Sequence, residues 1–183
     1  MHITAKNHEQ FTFRRLETHD ADLLGDFFED LSQETRSKFG PHPLTREYAR
    51  ERLCATEERD NVVRYLIASD DKVVGYFIVD FRHSPHEHAR YQTYQMDLDS
   101  TRDPVFAPCI ADHYQSLGVA SQAMAALIEG LTNEGIRSLV LMGGTQLPNH
   151  VARRFYRKFG FKEQGEFHTH HNGLDNVDMR LIL

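Results

Sequence analysis

The sequence predicts a mixed α/β fold in which helices flank one mixed sheet. Three observations predict it: short apolar runs of strand length, amphipathic stretches with helical spacing between several of them, and Gly or Pro residues at the breaks. In chain order they give a strand, two helices, a strand pair, a strand, a helix, a strand, a helix and a final strand pair. We therefore expect six to seven strands and about four helices. At 183 residues the chain suits one sizeable core better than two, so residues 1–183 are predicted to form a single domain.

Composition narrows the class of protein. Hydrophobic residues make up 40% and charged residues 26% of the chain, which is typical of a soluble globular protein. No run approaches the roughly 20 apolar residues of a membrane-spanning helix, and the first ten residues lack the apolar centre of a secretion signal. We therefore expect a cytoplasmic protein that does not bind membranes. A net charge of -6 argues against a nucleic-acid partner, because neutralising phosphates needs clustered Lys and Arg.

The first eighty residues are predicted to hold three strands and two helices. Thr18 or Asp20 can cap the first helix, and Thr45 can cap a short second helix that ends at Cys54. Between the helices, the run Phe39–Pro43 contains a glycine and two prolines and breaks the chain. The predicted strands are Phe11–Arg15, Val62–Ala68 and Val73–Phe81, the last two joined by a turn at Ser69–Lys72, and the first helix has an apolar face of Leu24, Phe27, Phe28 and Leu31.

The rest of the chain is predicted to alternate strands and helices after a polar stretch. Residues 83–103 are rich in His and Asp, and we predict a loop there that can include a short strand from Tyr91 to Leu98. Gly135 and Gly160 are predicted to end the two helices that follow. The predicted elements are strands Val105–Ala111, Ser138–Met142 (ended by Gly143 and Gly144), Phe161–Phe167 and Asn176–Leu183, a helix with an apolar stripe of Ala123, Met124, Leu127, Ile128 and Leu131, a helix Asn149–Phe159, and a last loop around Asn172 and Gly173.

One segment has the pattern of an anion site. The run Gln115–Ala120 reads Q-S-L-G-V-A and stands between an apolar strand and an amphipathic helix. The first-turn N–H groups of a helix are unpaired, the helix dipole adds partial positive charge, and a glycine lets the backbone approach a pyrophosphate. Taken alone, the same pattern also fits a simple turn before a helix.

A second motif about thirty residues later changes the interpretation. Asn149, Ala152, Phe155, Tyr156 and then Gly160-Phe161 form the pattern N-x-x-A-x-x-F-Y-x-x-x-G-F. With the Q-x-x-G-x-A segment before it, this order and spacing resemble the GCN5-related N-acetyltransferase (GNAT) family. The strong match covers about residues 105 to 165, and the preceding hundred residues agree in the order of elements.

The resemblance implies a fold, an activity and a set of site residues. The sheet of this family is splayed between its fourth and fifth strands, here Val105–Ala111 and Ser138–Met142. The implied activity is transfer of an acetyl group from acetyl-CoA, a co-substrate, to the primary amine of a small molecule or peptide by direct attack in a ternary complex. Many members are homodimers, so the resemblance leaves open whether this chain forms a homodimer. The implied coenzyme-binding residues are Ile110 on the pantetheine arm, Gln115, Ser116, Leu117, Gly118, Val119, Ala120 and Ser121 on the pyrophosphate, and Asn149 and Ala152 beside the arm.

Tyr156 is the implied catalytic residue. When an amine attacks a thioester, the departing thiolate takes up a proton, and a phenol with a reference pKa near ~10 is a competent donor. The alternative is that Tyr156 and Phe155 are core aromatics that precede the helix stop.

Two positions depart from the family pattern. Pro104 stands where many members have a glutamate base, and its neighbour Asp103 is either a substitute base or a solvated loop carboxylate. Water or another acidic or His residue of 83–103 can also serve. Pro108 stands where members offer an N–H to the acyl carbonyl, a donor that proline lacks. These departures keep open a second function, a non-catalytic acyl-CoA-binding sensor or regulatory domain.

Cysteines and histidines raise the question of a metal. Cys54 and Cys109 lie in predicted core elements without metal-ligand spacing, so we expect two buried free thiols. Two histidine clusters could bind zinc, but neither H-S-P-H-E-H nor H-T-H-H fits a usual ligand motif. We predict no metal and expect the histidines to be solvated or to line the acceptor pocket, with Phe39–Leu44 closing it from the other side. The clusters are His83, His86 and His88, and His168, His170 and His171.

Overall fold

The computed structural model describes residues 1–55, 60–170 and 173–183. These residues contain nine strands and six helices, and the mixed α/β class is confirmed. The elements beyond those predicted are two very short strands, β1 and β7, and two helices, α2 and α4. The strands are β1 (His2–Thr4), β2 (Gln10–Arg15), β3 (Val62–Ala68), β4 (Val73–Asp80), β5 (Val105–Ile110), β6 (Ser138–Leu141), β7 (Thr145–Gln146), β8 (Lys162–Thr169) and β9 (Leu174–Ile182), and the helices are α1 (Ala21–Asp30), α2 (Gln33–Ser37), α3 (Arg46–Tyr48), α4 (Pro85–Thr93), α5 (Val119–Asn133) and α6 (His150–Lys158).

The chain divides into two compact units. The first comprises Met1–Ile78 and Ala107–Gly130, and the second comprises Val79–Phe106 and Leu131–Leu183. That residues 1–183 act as one domain stays a prediction.

The first unit is built on β1 to β4, which are neighbours in that order. β1 and β3 each pair antiparallel with β2, and the predicted turn between β3 and β4 closes with a hydrogen bond from Ser69 N to the Lys72 carbonyl (2.9 Å). The second helix begins at the predicted cap, where Thr45 Oγ1 accepts from Tyr48 N (3.1 Å), and it continues as a π-helical turn over Ala49–Leu53. The predicted apolar face of α1 is confirmed, because all four of its residues are buried: Leu24, Phe27, Phe28 and Leu31.

The second unit contains the parallel part of the sheet. β5 pairs parallel with β6 through two residue pairs, Val105 with Val140 and Phe106 with Leu141, although β5 continues to Ile110. Pairing over only two residue pairs is what we expect if these two strands are splayed apart. β9 pairs antiparallel with β6, β7 and β8.

The stretch 83–103 is the predicted loop only in part: residues 94–103 contain no helix or strand, but Pro85–Thr93 form α4. The predicted strand from Tyr91 to Leu98 is wrong. The helix begins with a reciprocal cap, in which Ser84 Oγ accepts from Glu87 N (3.1 Å) and the Glu87 carboxylate accepts from Ser84 N (3.4 Å). Pro85 stands at the first helical position. This Ser-x-x-Glu pattern with an early proline is a helix-start signal that the polarity of the stretch concealed.

Asp103 is buried and paired, so its interpretation as a solvated loop carboxylate is wrong. Its oxygens accept from Ser138 Oγ (2.6 Å), Arg137 Nε (2.9 Å) and Arg180 Nη2 (3.1 Å). Burial alone would raise the pKa of Asp103, but the hydrogen bonds from Arg137 and Ser138 outweigh it and hold this pKa well below its usual range. The carboxylate joins the start of β6 to β9 and is a poor base.

Both cysteines are buried free thiols, as predicted. Burial raises the pKa of Cys54 to about 11 and that of Cys109 to about 12. Neither sulfur is therefore a thiolate nucleophile near neutral pH. No helix in the described part of the chain is long and apolar enough to span a bilayer.

Replacing Asp103 with Asn should lower the free energy of unfolding by about 1.5–3 kcal/mol at pH 7, because charge-assisted hydrogen bonds to buried groups are lost. Since the pKa of Asp103 is depressed in the folded state, its contribution is present above the unfolded carboxyl pKa of ~3.9 and is lost as the pH falls below it. Urea unfolding between pH 7 and pH 3 should therefore show the deficit of the variant shrinking toward acid. Asp97→Asn, at a side chain that is 92% exposed, is the control and should change little. A deficit that is constant with pH would contradict this prediction.

Candidate functional site

The junction between β5 and α5 has the backbone shape of an anion site. After Ile110 the chain makes a 3-10 turn and then passes through two left-handed residues, Ser116 (φ 64°) and Gly118 (φ 86°), before α5 begins. The Gly118 carbonyl accepts from Gln122 N (3.2 Å), so Gly118 is the cap residue. By helix geometry, the amides of Val119 and Ala120 then have no acceptor within the helix.

Polar side chains in the first unit hold this junction in place. The Asp112 carboxylate accepts from Ser32 N (2.9 Å), Ser32 Oγ (2.7 Å) and Thr35 Oγ1 (2.7 Å). Burial would raise the pKa of Asp112, but the hydrogen bonds from Ser32 and Thr35 lower it, so Asp112 is a carboxylate at neutral pH. Gln115 Nε2 donates to Thr35 Oγ1 (3.2 Å) and to the Ile110 carbonyl (3.3 Å). The Gln115 side chain thus braces the loop to α2 and β5.

The amino-terminal segment forms a second brace that the sequence did not predict. Gln122 Nε2 donates to the Thr4 carbonyl (2.8 Å), and Thr4 N donates back to Gln122 Oε1 (3.3 Å). Lys6 N donates to the Leu117 carbonyl (3.0 Å) and Lys6 Nζ to the Ser116 carbonyl (3.0 Å). Lys6 lies 110 positions before Ser116, and no local pattern marks it.

The loop has room for an anion beside its glycine. A Cβ placed on Gly118 would meet no atom closer than Gln122 Nε2 and Lys6 Cε, both at 3.9 Å. The positive end of the α5 dipole and the Lys6 ammonium favour negative charge here. These residues fit the pyrophosphate that the sequence motif predicts.

The second motif lies on α6 in the second unit. Asn149 is the helix cap, and its side-chain oxygen accepts from Ala152 N (3.1 Å). Tyr156 is buried, with its ring centroid 5.5 Å from that of Phe155 and 5.3 Å from that of Phe161. The structure therefore gives Asn149 a capping role and gives Tyr156 aromatic packing, beside the roles implied by the family.

The predicted site residues fall into these two groups. Ile110 and Gln115–Ser121 lie at the junction in the first unit, and Asn149, Ala152 and Tyr156 lie on α6 or its cap in the second unit. Their roles in binding and catalysis stay predictions.

The histidine clusters have ordinary hydrogen bonds. His83 Nε2 donates to the Asp103 carbonyl (2.8 Å), and His168 Nδ1 bonds the Asp175 carboxylate (2.7 Å). His86 and His88 lie on α4, His170 packs against His168 with ring centroids 5.1 Å apart, and His171 is outside the described residues. Among residues 1–55, 60–170 and 173–183, no three His, Cys, Asp or Glu side chains are grouped as a metal would need.

An aromatic cluster surrounds His42, within the predicted acceptor-side segment Phe39–Leu44. His42 stacks on Tyr48 (centroids 4.9 Å apart, 13° between planes), and its Nε2 bonds the Tyr76 hydroxyl (3.1 Å). Its Nδ1 bonds the Pro43 carbonyl (2.8 Å), so Nδ1 carries a proton and Nε2 accepts. Burial lowers the pKa of His42. The half-buried imidazole thus has both ring nitrogens hydrogen-bonded and joins the Tyr48 ring to the Tyr76 hydroxyl.

Comparison with known proteins identifies one family. The sequence matches the acetyltransferase (GNAT) family over residues 24–161, and no curated protein matches it. Similar solved structures include a ribosomal-protein-S5-alanine acetyltransferase from Vibrio fischeri (TM-score 0.74, 12% identity, covering 100% of this chain and 96% of that one). Another is the GNAT domain of S. lividans PAT (TM-score 0.73, 17% identity, covering 100% of this chain and 96% of that one). A third is an aminoglycoside acetyltransferase in complex with coenzyme A (TM-score 0.71, 19% identity, covering 94% of each chain). At these identities the likeness shows a shared fold.

Replacing Gly118 with Ala should destabilise the protein by about 1–2 kcal/mol, because an L-residue pays for left-handed backbone even where its Cβ has room. Gly130→Ala is the matched control, since Gly130 lies inside α5 with no atom within 4 Å of an added Cβ. The control should raise stability by about 0.5–1 kcal/mol through helix propensity. Urea unfolding of the two variants would contradict the left-handed assignment if both changes had the same sign.

Proposed function

The chain belongs to the acetyltransferase (GNAT) family, and from this premise we propose that it is an acetyl-CoA-dependent N-acetyltransferase that acetylates the primary amine of a small molecule or peptide. The proposed reaction is direct attack of the amine on the thioester in a ternary complex. The amine nitrogen forms a bond to the acetyl carbon, the carbon–sulfur bond breaks, and the thiolate leaves.

The β5–α5 junction is the observation that carries this proposal. A diphosphate is suited to this junction for three reasons. The first-turn amides of α5 are free to donate, Gly118 has open space beside it, and the Lys6 ammonium lies next to the loop. In the proposal, Gln115–Ser121 hold the diphosphate of coenzyme A through their backbone. Ile110, whose carbonyl also accepts from Gln115, pairs its backbone with the pantetheine arm. Asn149 and Ala152 lie beside the arm.

Tyr156 is proposed as the proton donor to the departing thiolate. A phenol gives up its proton to a thiolate that forms next to it and recovers one from solvent after product release. The aromatic neighbours Phe155 and Phe161 restrict its ring, which fixes the direction of the hydroxyl. The same packing is what a purely structural Tyr156 would need, so the hydroxyl has to be tested by itself.

The proton of the attacking amine needs another acceptor. Asp103 is excluded as a strong candidate, because its lone pairs accept from Ser138, Arg137 and Arg180. Water, or another acidic or His residue of the segment that contains α4, is the proposed base.

We also propose that the enzyme is cytoplasmic and that its partners are acetyl-CoA and the amine. In this proposal it binds no nucleic acid, membrane or metal, and the proposal leaves open whether it forms a homodimer. The net charge of -6 supports the exclusion of nucleic acid. It also mildly favours a cationic acceptor. The segment Phe39–Leu44 is proposed to line the acceptor side, since it presents half-buried aromatic rings.

A non-catalytic acyl-CoA sensor is the second candidate function. Pro108 supports it, because a proline within β5 offers no N–H to an acyl carbonyl. Such a protein would bind coenzyme A and acetyl-CoA with a rise in melting temperature and would release no thiol with any amine.

A screen of acetyl-CoA with amines tests the proposal. Free thiol would be followed with a thiol-reactive dye in the presence of amino acids, polyamines, aminoglycosides and peptides with free amino termini. Thiol release that depends on one class of amine supports the enzyme. Binding without release by any of these classes supports the sensor, and no binding at all contradicts both.

Replacing Tyr156 with Phe should lower kcat about 10²–10⁴-fold, because a positioned general acid contributes about that much. The dissociation constant of acetyl-CoA should stay unchanged, since only the hydroxyl is removed. Tyr114→Phe is the control for loss of a phenol elsewhere, where the hydroxyl accepts from Lys72, and it should retain kcat. An unchanged kcat for Tyr156→Phe at equal stability would leave Tyr156 a core aromatic.

A further inference from the structure

We propose that Lys6 is a coenzyme-binding residue whose ammonium contacts the diphosphate held at the β5–α5 junction. The inference rests on the proposed function, because it needs coenzyme A at that junction. It adds a residue that lies outside both sequence motifs, at the opposite end of the chain.

The backbone of Lys6 is fixed against the junction. Its N–H donates to the Leu117 carbonyl (3.0 Å), and the two-way hydrogen bonds between Thr4 and Gln122 hold the preceding residues to the first turn of α5. Ala5 between them is buried. The position of the Lys6 Cα relative to the loop is therefore set by several bonds and does not depend on the side chain.

A tight turn presents the side chain of Lys6. His8 N donates to the Ala5 carbonyl (2.9 Å), and Ala5 N donates to the Glu9 carbonyl (2.9 Å). His8 takes the left-handed backbone that such a reversal needs (φ 71°). The turn leaves Lys6 exposed on the loop side, so its side chain is accessible to a ligand.

The Lys6 ammonium lies at the loop and has hydrogen-bond donors that the loop does not use. Lys6 Nζ donates to the Ser116 carbonyl (3.0 Å), and Lys6 Cε is 3.9 Å from the Cβ position of Gly118. A lysine ammonium has three donors. One bond to Ser116 leaves two for phosphate oxygens, and that bond also keeps the cation beside the glycine where the diphosphate is proposed to approach.

The charge of Lys6 is not neutralised by a carboxylate of the described residues. Glu9, the acid of the same turn, binds Lys72 Nζ (2.8 Å), and this hydrogen bond is the largest of several interactions that lower the pKa of Glu9 to about 2. Asp112 on the other side accepts from Ser32 and Thr35. Glu9 is thus paired with Lys72 and Asp112 is held by Ser32 and Thr35, so the Lys6 ammonium is available to an anionic ligand.

A structural alternative is that Lys6 only fastens the amino-terminal segment through the Ser116 carbonyl. Two substitutions separate the alternatives. Lys6→Gln keeps a donor for that carbonyl and removes the charge, whereas Lys6→Arg keeps the charge. A structural role would leave coenzyme binding the same in both variants at equal melting temperature.

Calorimetric titration of the full chain with coenzyme A, dephospho-coenzyme A and pantetheine tests the inference. Lys6→Gln should weaken coenzyme A about tenfold at low salt, as expected for one lost charge-assisted hydrogen bond. The loss should be equal for dephospho-coenzyme A, which keeps the diphosphate, and absent for pantetheine, which lacks it. It should shrink as salt rises, because the interaction is screened. Lys6→Arg should bind within about twofold of the wild type, as expected when the charge is kept.

Lys38→Gln is the matched control, since it removes an exposed lysine charge that is paired with Glu34 on α2, and it should leave binding unchanged. Equal coenzyme binding by Lys6→Gln and the wild type would overturn the inference, and so would a loss confined to coenzyme A with its 3′-phosphate. A wild-type protein that does not bind coenzyme A would instead overturn the proposed function. The two failures are therefore distinguishable.

Discussion

The left-handed backbone at Gly118 is the constraint on which the candidate site depends. It directs the chain from β5 into the first turn of α5, whose leading amides have no acceptor within the helix. A residue with a side chain would be strained in this conformation, and a longer turn would place those amides elsewhere. The open space beside Gly118 lies next to these amides, at the positive end of the helix dipole.

The first unit holds that backbone state with contacts from two directions. On one side Asp112 and Gln115 join the junction to α2, and on the other Thr4 and Lys6 join it to the amino-terminal strand. An anion site gains from such bracing, because donors that are already fixed need no reordering when the ligand arrives. In the second unit, the buried Asp103 accepts hydrogen bonds from Arg137, Ser138 and Arg180. This carboxylate, next to the position of the family's base, therefore stabilises the fold.

Features with a local chemical signal could be predicted from the sequence. The cap at Thr45, the stops at Gly135 and Gly160, and the apolar face of α1 depend on residues within one or two turns of each other, and all are present. Helix α4 has such a signal in Ser84 and Glu87, but the surrounding His and Asp residues are more typical of a loop. β1 and β7 are three and two residues long, too short to show a period. Lys6 and the partners of Asp103 could not be predicted, because their contacts join residues 34 to 110 positions apart.

Amide NMR of the isotope-labelled protein during titration with coenzyme A measures the interaction on which the site depends. The amide resonances of Gly118, Val119 and Ala120 should shift most, and they should shift equally with dephospho-coenzyme A, because both ligands bring the diphosphate to the first turn of α5. Saturable binding that leaves these three amides unshifted would contradict the proposed site.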